Sequence, residues 1–279
     1  MQDFSEKELK KLHIPLINSH KGQNGKLLLI SGSKLFHSSS LWALKIASRI
    51  VDMVFYSSVD ENNKIVKEAK KEFRDGIVVP RSKIEEYIKE ADCVLIGSGL
   101  PRKDGEEEGD DDTKELTERL LKKYPEKKWV IDGGSLQTIN PGIIPQNSII
   151  TPHSREFKML FGINVSEGNI EKMSKKYNIV IIIKGQTDFI CQPFGSAQSE
   201  ARCVQVSGGN AGMTKGGTGD VLAALIASFY CKNNAFLSAC AGSYFNKKAG
   251  ESLFKKVGYY FNSSDLVDEI PGIMKSLLI

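Results

Sequence analysis

Ser207-Gly208-Gly209-Asn210-Ala211-Gly212-Met213-Thr214-Lys215-Gly216-Gly217-Thr218-Gly219-Asp220 runs straight into Val221-Leu222-Ala223-Ala224-Leu225-Ile226-Ala227-Ser228-Phe229. Six of the fourteen residues from 207 to 220 are glycine, so the backbone there can take positive φ and approach a ligand closely. The Ala-rich apolar run behind it has the composition of a buried helix. Unpaired N–H groups and the positive end of the helix dipole meet at such a junction, and the natural occupant is an anion, most often phosphate. Asp220 admits two readings: an ordinary first-turn carboxylate, or a base held beside the phosphate that the glycines bind. The loop matches neither the G-x-x-x-x-G-K-[ST] spacing of a P-loop nor the G-x-G-x-x-G of a dinucleotide fold.

Upstream of this junction, strand-like and helix-like segments alternate, the sequence habit of an α/β protein with a mainly parallel sheet. Strands are expected at Lys26 to Ser31, Met53 to Tyr56, Gly76 to Pro80, Cys93 to Ile96, Trp129 to Ile131, Ser148 to Thr151 and Asn178 to Lys184. The most clearly buried of them contains Ile179-Val180-Ile181-Ile182-Ile183, an uninterrupted apolar run that fits a strand covered on both faces. Helices are expected at Leu41 to Val51, Asn62 to Phe73, Arg81 to Glu90 and Thr113 to Tyr124. Phe189 to Phe194 and Ala201 to Val206, separated by Gly195-Ser196, read as an antiparallel hairpin at the sheet's edge. Beyond the glycine loop the chain reads as helices at Val221 to Cys231, Ala235 to Val257 and Ser264 to Lys275, the last interrupted by Pro271. There is no internal repeat or long linker, so residues 1–279 read as one domain with 1–19 as an N-terminal extension.

Composition narrows the function classes. The 41% hydrophobic content is enough for a core. A net charge of +4, without a Lys/Arg block interleaved with aromatics, does not indicate nucleic acid. Residues 1–20 are charged and lack an apolar centre, so no signal peptide is expected, and no apolar run approaches a membrane span. The five cysteines, Cys93, Cys191, Cys203, Cys231 and Cys240, are odd in number and widely spaced. They read as reduced core thiols of a cytoplasmic protein. Seven of the nine residues from Asp104 to Asp112 are acidic, which reads as a self-repelling, solvated loop.

Four polar clusters fall where strands end: Gly97-Ser98-Gly99, Asp132, Thr151-Pro152-His153-Ser154-Arg155-Glu156 and Lys184-Gly185-Gln186-Thr187-Asp188. If the strands are parallel, all four reach the rim that carries the glycine loop, where open α/β sheets bind ligands. Glu156 has two readings: the N3 residue of a helix capped by His153 or Ser154, or a water-mediated contact to a Mg²⁺ that bridges nucleotide phosphates. Lys184 could end a strand or supply a point charge to phosphate.

These residues also resemble a known family. His20-Lys21-Gly22-Gln23-Asn24-Gly25-Lys26, the Gly97–Gly99 turn, Thr151-Pro152-His153 with Glu156-Phe157, Lys184-Gly185, Gly216-Gly217-Thr218-Gly219-Asp220-Val221-Leu222-Ala223 and Ser264-Asp265-Leu266 follow, in order, the pattern of the ADP/ATP-dependent NAD(P)H-hydrate dehydratases. The resemblance implies a ribokinase-like three-layer α/β sandwich with a central, mostly parallel sheet. It implies repair of (S)-NADH or NADPH hydrate (NADHX, NADPHX) by phosphorylation of the ring hydroxyl, at the expense of ADP or ATP with Mg²⁺, and loss of phosphate. By the same resemblance Asp220 is the base, Ser39, Gly99, His153 and Asp220 face the damaged coenzyme, and Glu156 reaches the metal through water. Lys184, Gly185, Gln186, Thr187, Asp188, Gly216, Gly217, Thr218 and Gly219 would line the adenine nucleotide. The family further implies a homo-oligomer, such as a tetramer, working with a separate NAD(P)H-hydrate epimerase.

Three stretches depart from the family pattern. Phe36-His37-Ser38-Ser39-Ser40 replaces an aromatic-Thr-Gly-Ala-Pro run, and Gly97-Ser98-Gly99-Leu100-Pro101 replaces G-P-G-L-G. Asp132-Gly133-Gly134-Ser135-Leu136 replaces D-A-D-A-L, which removes a carboxylate at 134. Competing readings are a small-alcohol or vitamin-precursor kinase of the same fold, which would stop at the phosphorylated product, and a non-catalytic nucleotide sensor. The His of Thr-Pro-His favours the dehydratase over the kinases, many of which carry Asn there, and retention of Asp220 speaks against the sensor.

Overall fold

Short apolar strands buried on both faces form the centre of the molecule, and helices cover each face. The computed structural model describes residues 1–102, 105–193 and 202–279, so Asp104 and the expected turn at Gly195-Ser196 lie outside the described residues. The strands are β1 (Gln2–Asp3), β2 (Lys26–Ile30), β3 (Met53–Ser57), β4 (Ile77–Val78), β5 (Cys93–Ile96), β6 (Lys128–Ile131), β7 (Ile149–Ile150), β8 (Val180–Ile183), β9 (Asp188–Gln192) and β10 (Arg202–Val206). The helices are α1 (Ser38–Ala47), α2 (Asp60–Ala69), α3 (Ile84–Glu90), α4 (Thr113–Lys123), α5 (Gly133–Thr138), α6 (Ser154–Phe161), α7 (Glu167–Tyr177), α8 (Thr218–Tyr230), α9 (Ala235–Val257) and α10 (Ser263–Leu278).

Among the described residues the strands form one sheet in the order β1-β10-β9-β8-β7-β6-β5-β2-β3-β4. β9 runs antiparallel to both its neighbours, and every other pairing is parallel. Because side chains alternate across a strand, each strand feeds two cores. Leu27, Leu29, Val180 and Ile182 pack with α1, α8, α9 and α10, whereas Leu28, Ile30, Ile181 and Ile183 pack with α3 to α7. This is the three-layer ribokinase-like architecture, and it explains why the strands read as continuous apolar runs. Strand order reverses between β2 and β5, the kind of position at whose carboxyl end open α/β sheets bind ligands.

Several local expectations change. Pro271 does not interrupt the last helix, since α10 continues through it to Leu278. A proline has no N–H to give the carbonyl four residues back, but here that carbonyl, Val267 O, accepts from Arg49 Nη1 at 2.7 Å. The five cysteines are not all thiols: Cys191 and Cys203 form a disulfide. They stand directly opposite one another in the β9–β10 register, an adjacency that their separation along the chain conceals. The described part of the acidic insert is not simply solvated. Asp110 Oδ1 accepts Lys34 N at 2.9 Å, Asp111 pairs with Arg81, and Asp112 caps α4 through Glu115 N at 2.8 Å. Near the N-terminus β1 pairs with β10, and Phe4, Leu9 and Leu12 are buried in the core.

Candidate active site

The glycine loop is fixed through its carbonyls. Thr218 Oγ1 donates to Met213 O at 2.7 Å, Ser263 Oγ to Gly216 O at 2.8 Å, and Lys215 Nζ to Tyr259 O and Phe261 O, both at 2.5 Å. Lys215 is thereby committed to holding the loop. Gly217 caps α8 with φ +93°, in the left-handed region that favours glycine, and a Cβ there would lie 2.1 Å from the Trp42 ring. The helix therefore begins abruptly; Thr218 N donates back to Lys215 O at 3.4 Å, and the N–H groups that follow it in the first turn point toward the rim without a carbonyl of the same helix before them.

Parallel pairing of β5, β6, β7 and β8 brings their carboxyl ends to this rim. An isolated parallel bridge extends the register beyond β7 and β8 and sets His153 beside Lys184. Lys184 Nζ lies 2.7 Å from Asp132 Oδ1 and 3.9 Å from Glu156 Oε2. It also lies 3.6 Å from where a Cβ on Gly219 would be, so its ammonium stands at the start of α8. Burial disfavours the charge on Lys184, but Asp132 and Glu156 hold its pKa above the usual lysine range. Burial would likewise raise Asp132; Lys184 and hydrogen bonds from Thr151 and Ser98 keep it below the usual carboxylate range. Those two hydroxyls donate at 2.6 Å and 3.0 Å.

Asp220, in the first turn of α8, is partly buried. Burial and the negative charge of Asp132 push its pKa up to about 7, with Lys184 partly offsetting them. A carboxyl group so tuned exchanges a proton near neutrality, the property of an efficient general base. His153 and Glu156 realise the capping-box reading. His153 Nδ1 accepts Arg155 N and Glu156 N at 3.1 and 3.2 Å, and Glu156 Oε2 accepts His153 N at 2.9 Å. In the neutral ring Nε2 then carries the hydrogen; it lies 3.6 Å from Glu156 Oε1, and the imidazole is half-exposed. Glu156 is buried, and its Oε1 accepts Gln137 Nε2 at 2.9 Å.

A cleft of about 720 Å³ opens beside these groups, bordered by His153, Lys184, Gly185, Gln186, Asp188, Thr218 and Gly219. Its size suits a nucleotide-sized ligand. Thr187, Gly216, Gly217, Asp220 and Glu156 do not border it, and Ser39 and Gly99 meet elsewhere, at the β2/β5 reversal. There Ser39 is buried, and its Oγ lies 2.0 Å from where a Cβ on Gly99 would be. Asp188 is held by Gly185 N at 2.9 Å, Ser243 Oγ at 2.6 Å and Lys247 Nζ at 3.3 Å. Lys247 Nζ also donates to Gly185 O and Gln186 O at 2.9 and 3.0 Å, so the β8–β9 turn is clamped from α9.

The cleft has residues that the sequence reading did not mark, chiefly Asn210, Met213, Leu222, Asn246 and Lys247. The signal for two of them was present: Asn246-Lys247 interrupts an otherwise apolar stretch of helix. The role of Asp132 as partner to Lys184 depends on contacts across 52 residues and has no local signal.

Sheet order, layering and the helix start after the last strand define a ribokinase-like α/β protein. The fold matches the crystal structure of an ADP/ATP-dependent NAD(P)H-hydrate dehydratase from Bacillus subtilis co-crystallized with ATP/Mg²⁺, with a TM-score of 0.79 at 20% identity over 99% of this chain and 98% of that one. The family pattern described as NAD(P)H-hydrate dehydratase matches residues 27–272, and the chain belongs to that family. It is 38% identical over 277 residues to the bifunctional NAD(P)H-hydrate repair enzyme Nnr of Methanocaldococcus jannaschii, matching 96% of this chain and 52% of that protein. It thus spans about half the length of this relative and of the Archaeoglobus fulgidus enzyme of the same name. It is also 29% identical to the ADP-dependent (S)-NAD(P)H-hydrate dehydratase of Nitrosopumilus maritimus, over 92% of this chain and 91% of that one.

Proposed function

We propose that this chain dehydrates (S)-NAD(P)H hydrate to NAD(P)H, using ADP or ATP as phosphoryl donor. The observation that carries the reading is the placing of Asp220 in the first turn of the glycine-capped helix, beside the Lys184 ammonium at Gly219, where burial and Asp132 push its pKa up to about 7. Gly216 to Gly219 and Lys184 receive the donor's terminal phosphate, whose charge suits the N–H groups and dipole of a helix start and an ammonium. The ring hydroxyl oxygen attacks the terminal phosphorus, the bond to the donor's bridging oxygen breaks, and Asp220 accepts the hydroxyl proton. Phosphate then leaves with the ring carbon–oxygen electron pair, and the neighbouring ring carbon loses a proton to form the double bond. Transfer is needed first because hydroxide is a poor leaving group.

Among the described residues no group of three His, Cys, Asp or Glu side chains is placed to cage a metal. Glu156 already accepts hydrogen bonds on both oxygens, which suits contact to Mg²⁺ through water, the ion being held mainly by donor phosphates. When bound, Mg²⁺ supplies charge neutralisation for the transferred group.

Under the same proposal, residues 1–279 act as one catalytic unit and His153, Ser39 and Gly99 face the damaged coenzyme. A homo-oligomer, such as a tetramer, a cytoplasmic location and cooperation with a separate epimerase belong to it as well. The exposed apolar Leu16 and Ile17 support association. The test is incubation of hydrated NADH with ADP or ATP and Mg²⁺. Recovery of near-ultraviolet dihydronicotinamide absorbance with phosphate release is expected. Phosphate transfer to another alcohol without recovery would make the chain a kinase, and saturable nucleotide binding without turnover would make it a sensor.

A further inference from the structure

The cap of α8 is held from several sides, and one of its holders has no place in the chemistry described so far. Lys215 Nζ ties the loop to the carbonyls of Tyr259 and Phe261, and Ser263 Oγ ties Gly216 O to the start of α10. Gly217 itself meets Trp42 of α1. A Cβ on Gly217 would fall 2.4, 2.1 and 2.7 Å from Cε3, Cζ3 and Cη2, three successive atoms along one side of the indole. The ring therefore rests directly against the residue whose left-handed conformation, φ +93°, starts the helix. Trp42 is anchored in turn. Its Nε1 donates to Ser264 Oγ at 3.0 Å, and Ser264 N donates to Asn262 Oδ1 at 2.8 Å within the capping box of α10. Neighbouring residues of one capped helix start thus hold both Gly216 and Trp42.

Core packing is a sufficient account of Trp129, which is 0% exposed. Trp42 is only partly buried, and it combines a directed hydrogen bond with contact to the glycine loop. It also links the two sides of the proposed reaction. Residues three apart share a helix face, so Ser39 and Trp42 project to the same side of α1. Ser39 meets Gly99 at the β2/β5 reversal, whereas Trp42 meets Gly217. One helix face therefore touches both the turn proposed for the coenzyme and the loop proposed for the donor phosphate.

We infer that Trp42 is a positioning residue, its ring setting where Gly217 and the first-turn N–H groups of α8 stand relative to the turn at Ser39. This rests on the proposed phosphoryl transfer at the start of α8. Without the ring, Asp220 and Lys184 remain but the loop loses its support, and a misplacement of about 1 Å can cost about 10²-fold in rate. The test compares the wild type, Trp42→Phe and Trp42→Ala in the repair assay, with calorimetric titration of ADP counting the binding-competent sites in each preparation. Per competent site, Trp42→Ala is expected to lose between about tenfold and 10²-fold in kcat, while KM for the hydrated coenzyme and the affinity for ADP stay within about threefold. Trp42→Phe keeps a ring against Gly217 and gives up the bond to Ser264, so it is expected to recover most of that kcat. Trp42 and Trp129 are the two tryptophans of the chain, which supplies a second readout. ADP is expected to change the emission of the wild type and to leave that of Trp42→Phe, where Trp129 alone reports, unchanged. Should the Ala variant not fold, Trp42→Leu replaces it with the same expectation. Wild-type kcat per site in the folded Ala or Leu variant overturns the assignment and leaves the proposed reaction standing, as does wild-type emission that saturating ADP does not alter. A wild type that binds ADP but does not restore hydrated NADH overturns the reaction itself, and the assignment with it.

Discussion

At the scale of single residues, the site rests on charges whose values are set by one another. Asp220 has a folded pKa near 7 against an ordinary value of 3.8. Only the ionised form can accept a proton, so kcat/KM is expected to fall about tenfold per pH unit below 7 and to level off above it; a pH–rate profile of the repair reaction checks this. The linked stability has a definite sign. Between about pH 4 and pH 7 the folded chain retains a proton that the unfolded chain has released, so stability falls as pH rises through that window. Asp220→Asn is expected to abolish turnover, to keep nucleotide affinity within a few-fold and to flatten this part of the stability curve. Denaturant titrations at several pH values, alongside the assay, measure all three. The Lys184–Asp132 pair gives a separate expectation. Lys184→Met leaves Asp132 buried without its countercharge and should cost about 3–5 kcal/mol. Combining it with Asp132→Asn removes the stranded charge, so the double variant should regain most of the stability without regaining activity.

Elements differ in how much of themselves they display in sequence. Strands of the central sheet were legible because burial on both faces leaves uninterrupted Val, Ile and Leu, as in Val180–Ile183. Helix α9 was legible from end to end because apolar residues recur along it without a proline. Short α5 begins with two glycines and α7 is strongly polar between its buried positions, so composition did not announce them, whereas α6 was signalled only by its cap at His153 and Glu156. Gly134 shows a different limit. A side chain there would lie 2.2 Å from Leu100 O, so in this chain the Gly97–Pro101 loop leaves no room for a carboxylate at 134. Restoring Asp at 134 alone would drive it into the neighbouring backbone. Pro271 within α10 likewise depends on Arg49, a residue from another helix region, to satisfy Val267 O. Arg49→Leu is expected to cost about 1–3 kcal/mol by leaving that carbonyl unpaired. In a Pro271→Ala background the restored N–H should reduce the cost, and a double-mutant cycle in urea measures the difference.

For the whole molecule, parallel topology explains why four clusters scattered from residue 97 to 188 meet on one rim with α8. The rim was therefore legible once the strands were assigned. Partners such as Lys247, reaching from α9 to the β8–β9 turn, were not, because their contacts are made only after the layers pack. The N-terminal segment is the other whole-molecule feature without a strong local signal. Its β1 covers the free edge of β10, and Leu9 is 1% exposed, whereas Leu16, seven residues on, is 69% exposed. Truncating a fully buried leucine typically costs about 2–5 kcal/mol through lost transfer energy and the cavity left behind. Leu9→Ala should destabilise the folded chain by an amount in that range and loosen the only cover that the β10 edge has among the described residues. Leu16→Ala, with little burial to lose, should stay within about 0.5 kcal/mol of the parent. Chemical denaturation of both variants, monitored by far-ultraviolet circular dichroism, compares them directly; equal midpoints would mean that the segment before Lys26 is not part of the cooperative core.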